Sequence, residues 1–223
     1  PVDCSIGRVF KSSQWNIDKT QTFLQTIIVE GESRTYLDDV DEDTTDDPYN
    51  YSVTSSNECY DQVSQNKYVL VKPRASSAAE VRFKIPNVLS GVEYDIYVVF
   101  VPVKALETLT TEDYDVPCKF RASYSFHDAD GKQSDYEQLT VPSDYEGYDA
   151  DVRGSNLDYL SIPGQVDTLL LAQKVVFPTC SWGLRDSQVL LKLRTSLRNA
   201  DRQNHTFTDR LRIDCVILKP HKD

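Results

Sequence analysis

Polar and apolar residues alternate with a period of two through much of this chain. In "AEVRFKI", Ala79, Val81, Phe83 and Ile85 fall on one face and Glu80, Arg82 and Lys84 on the other. "CKFRASYSFH" sets Cys118, Phe120, Ala122, Tyr124 and Phe126 against Lys119, Arg121, Ser123, Ser125 and His127. Successive side chains of a strand point to opposite faces, so each segment predicts a strand with one oily and one wetted face. "QVLLKLRT" follows the rule less cleanly, with Val189, Leu191 and Leu193 inward. Close to the end, "RLRIDCVILKP" puts Leu211, Ile213, Cys215 and Ile217 on one face. Arg212, Asp214, Val216 and Leu218 fall on the other.

"EYDIYVVFVP" is apolar on both sides, through Ile96, Val98 and Phe100 and through Tyr97, Val99 and Val101. Such a strand belongs in the middle of a sheet with its second face covered. "TLLLAQKVVFP" and "TFLQTIIVE" read alike, and "KYVLVKP" is a shorter candidate. The best helical window, "VPVKALETLTTED", is weakened by Pro102 and its threonines. Pro86, Asn87 and Gly91 break the chain between two strands, and Asp130-Gly131 signals a hairpin. About ten strands with turn signals every 8–12 residues predict an all-β protein, an antiparallel β-sandwich or jelly roll. Strands follow the long acidic loops without a change in character, so residues 1–223 read as a single domain. The last strand is expected inside a sheet, with Pro220 ending its ladder for want of an N–H.

Two of these segments resemble a known architecture. "VRFKIPNVLSGVEYDIYVVFVP" is similar to the paired strands of galactose-binding-like jelly rolls, several carbohydrate-binding modules among them, and "LRIDCVILKP" to their closing strand. The set "FKIPNVLSG", "YDIYVVFVP", "DTLLLAQKVVFP" and "RLRIDCVILKP" resembles the C-terminal β-domain of Bacteroidetes surface lipoproteins, chains that often carry fasciclin-like repeats upstream. The resemblance covers roughly residues 67–220 and rests on core and turn residues. It implies export to the cell envelope or outer-membrane surface, a lipid anchor upstream, and a role in adhesion or glycan contact. The start at Pro1 reads as a processed form or an excised domain.

The net charge of −11 argues against nucleic acid and anionic membrane as partners, because both are held by Lys and Arg. No stretch approaches the ~20 apolar residues of a membrane helix. Five cysteines (Cys4, Cys59, Cys118, Cys180, Cys215) lack metal-type spacing, and an odd count leaves one thiol unpaired in a monomer. Cys118 and Cys215 fall on apolar strand faces, where a thiol acts as a small hydrophobe. A disulfide among the other three is left open.

Few residues offer chemistry. His127, His205 and His221 stand far apart, and nucleophile-elbow, P-loop and dinucleotide motifs are absent. A glycosidase would need two carboxylates ~5–9.5 Å apart, which abundance alone does not supply. Calcium suits the oxygen-rich acidic loops, with Asp144, Asp149 and Asp151 as candidate ligands; the competing reading is a solvated acidic surface. Sugars are held by stacking on aromatic rings and by polar groups on their hydroxyls. Trp182, Tyr145, Tyr148 and Tyr159, with Asp151, form the candidate ligand-binding set, against the alternative that these rings cap the sandwich core. The expectation is a non-catalytic cell-surface binding or adhesion module contacting a glycan. The alternatives are a structural spacer with protein partners and, behind it, a glycoside-active enzyme.

Overall fold

A computed structural model describes residues 2–4, 7–9, 26–31, 34–38, 51–53, 67–71, 78–85, 88–89, 91–101, 116–127, 130, 132–177, 189–198, 200–201, 204, 206–208 and 210–222. The best helical window beyond Val101, both tryptophans, Cys59, Cys180 and His205 lie outside them. Strands in chain order are β1 Val2–Cys4, β2 Gly7–Val9, β3 Ile27–Glu30, β4 Arg34–Asp38, β5 Tyr51–Val53, β6 Lys67–Val71, β7 Glu80–Ile85 and β8 Glu93–Phe100. Beyond them come β9 Lys119–Phe126, β10 Glu137–Gln138, a single helical turn α1 Ala150–Arg153, β11 Gly154–Ser155 and β12 Asp158–Leu160. β13 Asp167–Val176, β14 Val189–Thr195 and β15 Leu211–Pro220 complete the described elements.

Apart from the small β1–β2 pair, the strands form two sheets. One has the order β11-β12-β9-β14-β7-β4 with β10 on β9, and the other the order β13-β8-β15-β6-β5 with β3 on β15. All named pairings are antiparallel. The inner faces meet in one apolar cluster that includes Phe83, Phe100, Phe120, Tyr159, Leu171, Leu191 and Leu193. Phe100 of one sheet lies 5.2 Å from Phe120 of the other. This is the expected all-β sandwich. Each large side chain taken from water contributes ~1.5–3 kcal/mol, and Phe83, Phe120, Leu191 and Leu193 are fully enclosed.

The alternation holds for β7, β9 and β14. Val81, Phe83 and Ile85, then Phe120, Ala122 and Tyr124, then Val189, Leu191 and Leu193, are all in the core. "IPNVLSGVEY" carries the chain from one sheet to the other, with Gly91 at φ +74° in the turn. The apolar-on-both-sides strand is β8, flanked by β13 and β15 as a central strand should be. β15 is interior as well, bordered by β8 on one side and by β6 and β3 on the other. Its ladder runs one bond past Pro220, because the His221 N–H donates to the Glu93 carbonyl at 2.8 Å. A proline cannot donate, but the residue after it can.

The face assignment within β15 needs correction. Ile213 pairs with Phe100 and Cys215 with Val99, so Asp214 is an extra residue, a β-bulge. One inserted residue reverses the phase of everything beyond it. Leu211 and Ile213 therefore share the core with Val216 and Leu218, while Cys215 and Ile217 turn to the second face. Cys215 is still buried, as is Val99 beside it. Gly31, just after β3, seats against the bulge. A Cβ there would meet the Ile213 carbonyl oxygen at 2.3 Å and that of Asp214 at 3.0 Å.

Two substitutions check this packing. Gly31→Ala drives a methyl into backbone oxygens that cannot step aside, so a loss of about 2 kcal/mol, roughly 4–8 °C in Tm, is expected by calorimetry. Ile28→Ala, at a β3 position 49% exposed, should change Tm by less than about 2 °C. Equal effects would contradict the placement of Gly31.

Candidate functional site

The segment after β10 reads in sequence as an acidic loop, yet it contains a helical turn and a β-hairpin. Asp149 starts the turn as its N-cap, with its Oδ1 accepting from the Asp151 N–H at 2.9 Å. Gly154 then takes φ +94°, where a Cβ would lie 2.0 Å from the Asp158 carbonyl oxygen, and β11 folds back on β12. Arg153 reaches across to Asp167 at the start of β13, at 2.7 and 2.8 Å to its two oxygens. Asp167 is almost wholly buried and also accepts from the Ile162 N–H at 2.8 Å. A buried carboxylate held by Arg153 and the Ile162 N–H fixes this segment to the sandwich.

The candidate aromatic residues take different roles. Tyr159 is fully enclosed and is not available to a ligand. Its ring stacks on Phe120 at 5.5 Å, and its hydroxyl donates at 2.7 Å to the Leu171 carbonyl of the opposite sheet. That carbonyl belongs to the residue bulged out between Leu170 and Ala172, so the tyrosine satisfies a group the ladder leaves over. Burial also pushes the Tyr159 hydroxyl pKa well up. Tyr148 packs against the core and donates from its hydroxyl to the Gly154 carbonyl. Tyr145 meets Tyr148 edge to face at 5.5 Å and is half-buried. The core-capping alternative therefore describes Tyr159 fully and Tyr148 in part. Trp182 lies outside the described residues.

Asp144, Asp149 and Asp151 are all exposed. Among the described residues no group of three His, Cys, Asp or Glu side chains could hold a metal ion, so the structure does not bring these three carboxylates together. Asp149 Oδ1 instead serves the helix cap. Cys118 and Cys215 are buried, and burial pushes the Cys118 thiol up to about 12. It stays protonated at neutral pH and is a poor nucleophile.

An open cleft of about 780 Å³ lies between residues 137–144 and the end of β13, residues 172–176. It sits where the edge strand of one sheet faces β10 on the other. Tyr124, Leu139, Val141, Ala172 and Val175 give its apolar lining; Glu137, Gln138, Thr140, Ser143, Asp144, Gln173 and Lys174 supply amide, hydroxyl, carboxylate and ammonium groups. The Tyr124 hydroxyl donates to Glu137 Oε2 at 2.7 Å, and burial together with that bond raises the tyrosine pKa. Beneath, Phe177 meets Tyr124 edge to face at 5.4 Å. Of the described candidate residues only Asp144 lines this cleft; sequence reading missed the other lining residues. One signal was present, the polar pair Gln173-Lys174 interrupting the apolar run of "LLLAQKVV".

Replacing Tyr159 by Phe removes the partner of a buried carbonyl, for an expected loss of about 1–3 kcal/mol in urea unfolding. Tyr145→Ala, in contrast, should cost under about 1 kcal/mol, because that ring is only half-buried. The reverse order would return Tyr159 to the candidate ligand contacts.

No protein-family model matches the chain, and no curated protein matches it. Two similar solved structures are carbohydrate-binding modules. The xylan-binding domain from CBM 22, formally the x6b domain, shares 15% identity at a TM-score of 0.39, covering 84% of this chain and 95% of that one. The C-terminal family 22 carbohydrate-binding module of Clostridium thermocellum Xyn10B shares 14% identity at the same TM-score, covering 86% and 97%. A likeness of that degree bears on neither ligand nor site.

Proposed function

We propose that this chain is a non-catalytic glycan-binding module whose ligand lies in the cleft between residues 137–144 and 172–176. The observation that carries the reading is the lining of that cleft. Amide, hydroxyl, carboxylate and ammonium groups along both walls can exchange hydrogen bonds with a row of sugar hydroxyls, and the apolar residues between them suit C–H faces. A largely apolar ligand would displace water from this polar lining without replacing its hydrogen bonds. Glu137 is engaged by the Tyr124 hydroxyl, an arrangement that fixes an acceptor rather than freeing a proton donor. A place on the cell envelope, which the sequence resemblance implies, goes with this reading.

The test is binding of the chain to a panel of immobilised polysaccharides (xylan, mixed-linkage glucan, galactan, pectin), followed by titration with oligosaccharides of whichever is retained. Asp144→Ala and Gln173→Ala are each expected to weaken binding roughly three- to tenfold, about one hydrogen bond apiece, without loss of Tm. No retention on the panel, or variants that bind like the wild type, would refute the cleft. Release of reducing sugar during incubation would refute the non-catalytic reading.

A further inference from the structure

One wall of the cleft is built on an irregularity. Between Ala172 and Val175, β13 departs from its pairing with β8, and Gln173 and Lys174 together stand opposite the single residue Asp95, one residue more than regular pairing allows. Both are exposed and both line the cleft. Lys174 takes φ +54°, in the left-handed region that side chains disfavour. A bulge of this kind re-aims side chains at a sheet edge and persists only where the surroundings over-determine it.

Asp95 supplies that determination. It lies on β8 and is 8% exposed, and its Oδ1 accepts the backbone N–H of Lys174 at 3.2 Å. The carboxylate is itself fixed from the chain end. His221 Nδ1 stands 2.8 Å from Oδ1 and 2.9 Å from Oδ2. A carboxylate only accepts, so this ring nitrogen carries the proton. The backbone N–H of His221 holds the Glu93 carbonyl, which ties the histidine to the same strand that bears Asp95.

We infer that Asp95, clamped by His221, is a positioning residue for the cleft. It captures the amide of a strained bulge and so sets the direction in which Gln173 and Lys174 are offered to a ligand. The part concerning presentation to a ligand rests on the glycan reading. The part concerning the bulge stands without it.

Amide hydrogen exchange on the intact chain separates the two parts. Asp95→Ala should raise exchange at Lys174 at least tenfold while Val98 and Leu191 in the core stay protected. Asp95→Asn keeps an oxygen acceptor and should restore protection to within about threefold of wild type. In the Lys174→Gly background, where the left-handed conformation carries no penalty, Asp95→Ala should lower Tm less than it does in wild type. Unchanged exchange at Lys174 in Asp95→Ala overturns the inference, as does loosening in Asp95→Asn equal to that in Asp95→Ala. Should Asp95→Ala fail to fold, the Asn variant decides alone: wild-type protection at Lys174 supports the inference and loss of it overturns it. On the polysaccharide panel, Asp95→Ala should lose retention and Asp95→Asn keep it. A panel on which even wild type is not retained removes the glycan reading and leaves the exchange result to judge the bulge.

Discussion

The sandwich is organised around the ladder between β8 and β15, and that ladder contains an extra residue. Both strands are interior, and β15 also carries β6 and β3 on its far side. With a strict period of two, whichever face Leu211 and Ile213 take would be shared by Cys215 and Ile217. The bulge at Asp214 breaks that inheritance and sends Val216 and Leu218 into the core instead. It is accommodated because Gly31 presents no side chain to the bulged carbonyls. One residue without a Cβ thus lets the last strand serve two neighbours whose registers differ.

The same device recurs where the molecule offers a surface to solvent. β13 is irregular twice, at Leu171 and at Gln173-Lys174. At the first, a cross-sheet tyrosine hydroxyl takes up the spare carbonyl. At the second, a buried aspartate takes the spare amide, and two polar side chains turn into the cleft. Regular pairing builds the core. The departure at Gln173-Lys174, with a polar group answering the unpaired amide, builds the cleft wall. A buried polar atom left without a partner costs more than a typical hydrogen bond contributes, which is why both irregularities of β13 come with an acceptor or donor.

The sequence makes the layers legible and the irregularities opaque. Val81-Phe83-Ile85 and Val189-Leu191-Leu193 alternate without interruption, so their faces follow from periodicity alone. The central place of β8 follows from apolar residues on both its sides. Asp214 looks like an ordinary outward residue, because a bulge is a property of pairing between distant strands and leaves no local mark. Tyr159 and Tyr145 are indistinguishable in composition, and only the position of β12 beside β9 decides that one ring is enclosed and the other half open. Asp144, Asp149 and Asp151 cluster along the chain but do not form a group that could hold a metal ion. The Gln173-Lys174 pair was the one visible trace of the cleft. Its meaning required Asp95, nearly eighty residues earlier, and His221 at the other end of the chain.

The reversal of phase at Asp214 is open to a direct measurement, a comparison of Val216→Asp with Ile217→Asp by urea unfolding. Val216 is fully enclosed, and a carboxylate there would be buried without a partner, so a loss above about 4 kcal/mol or failure to fold is expected. Ile217 lies on the second face and is partly open, so its aspartate should cost no more than about 1–2 kcal/mol. If Ile217→Asp proves the more damaging of the two, the strand alternates without a bulge, and the arrangement of the two sheets described above is wrong.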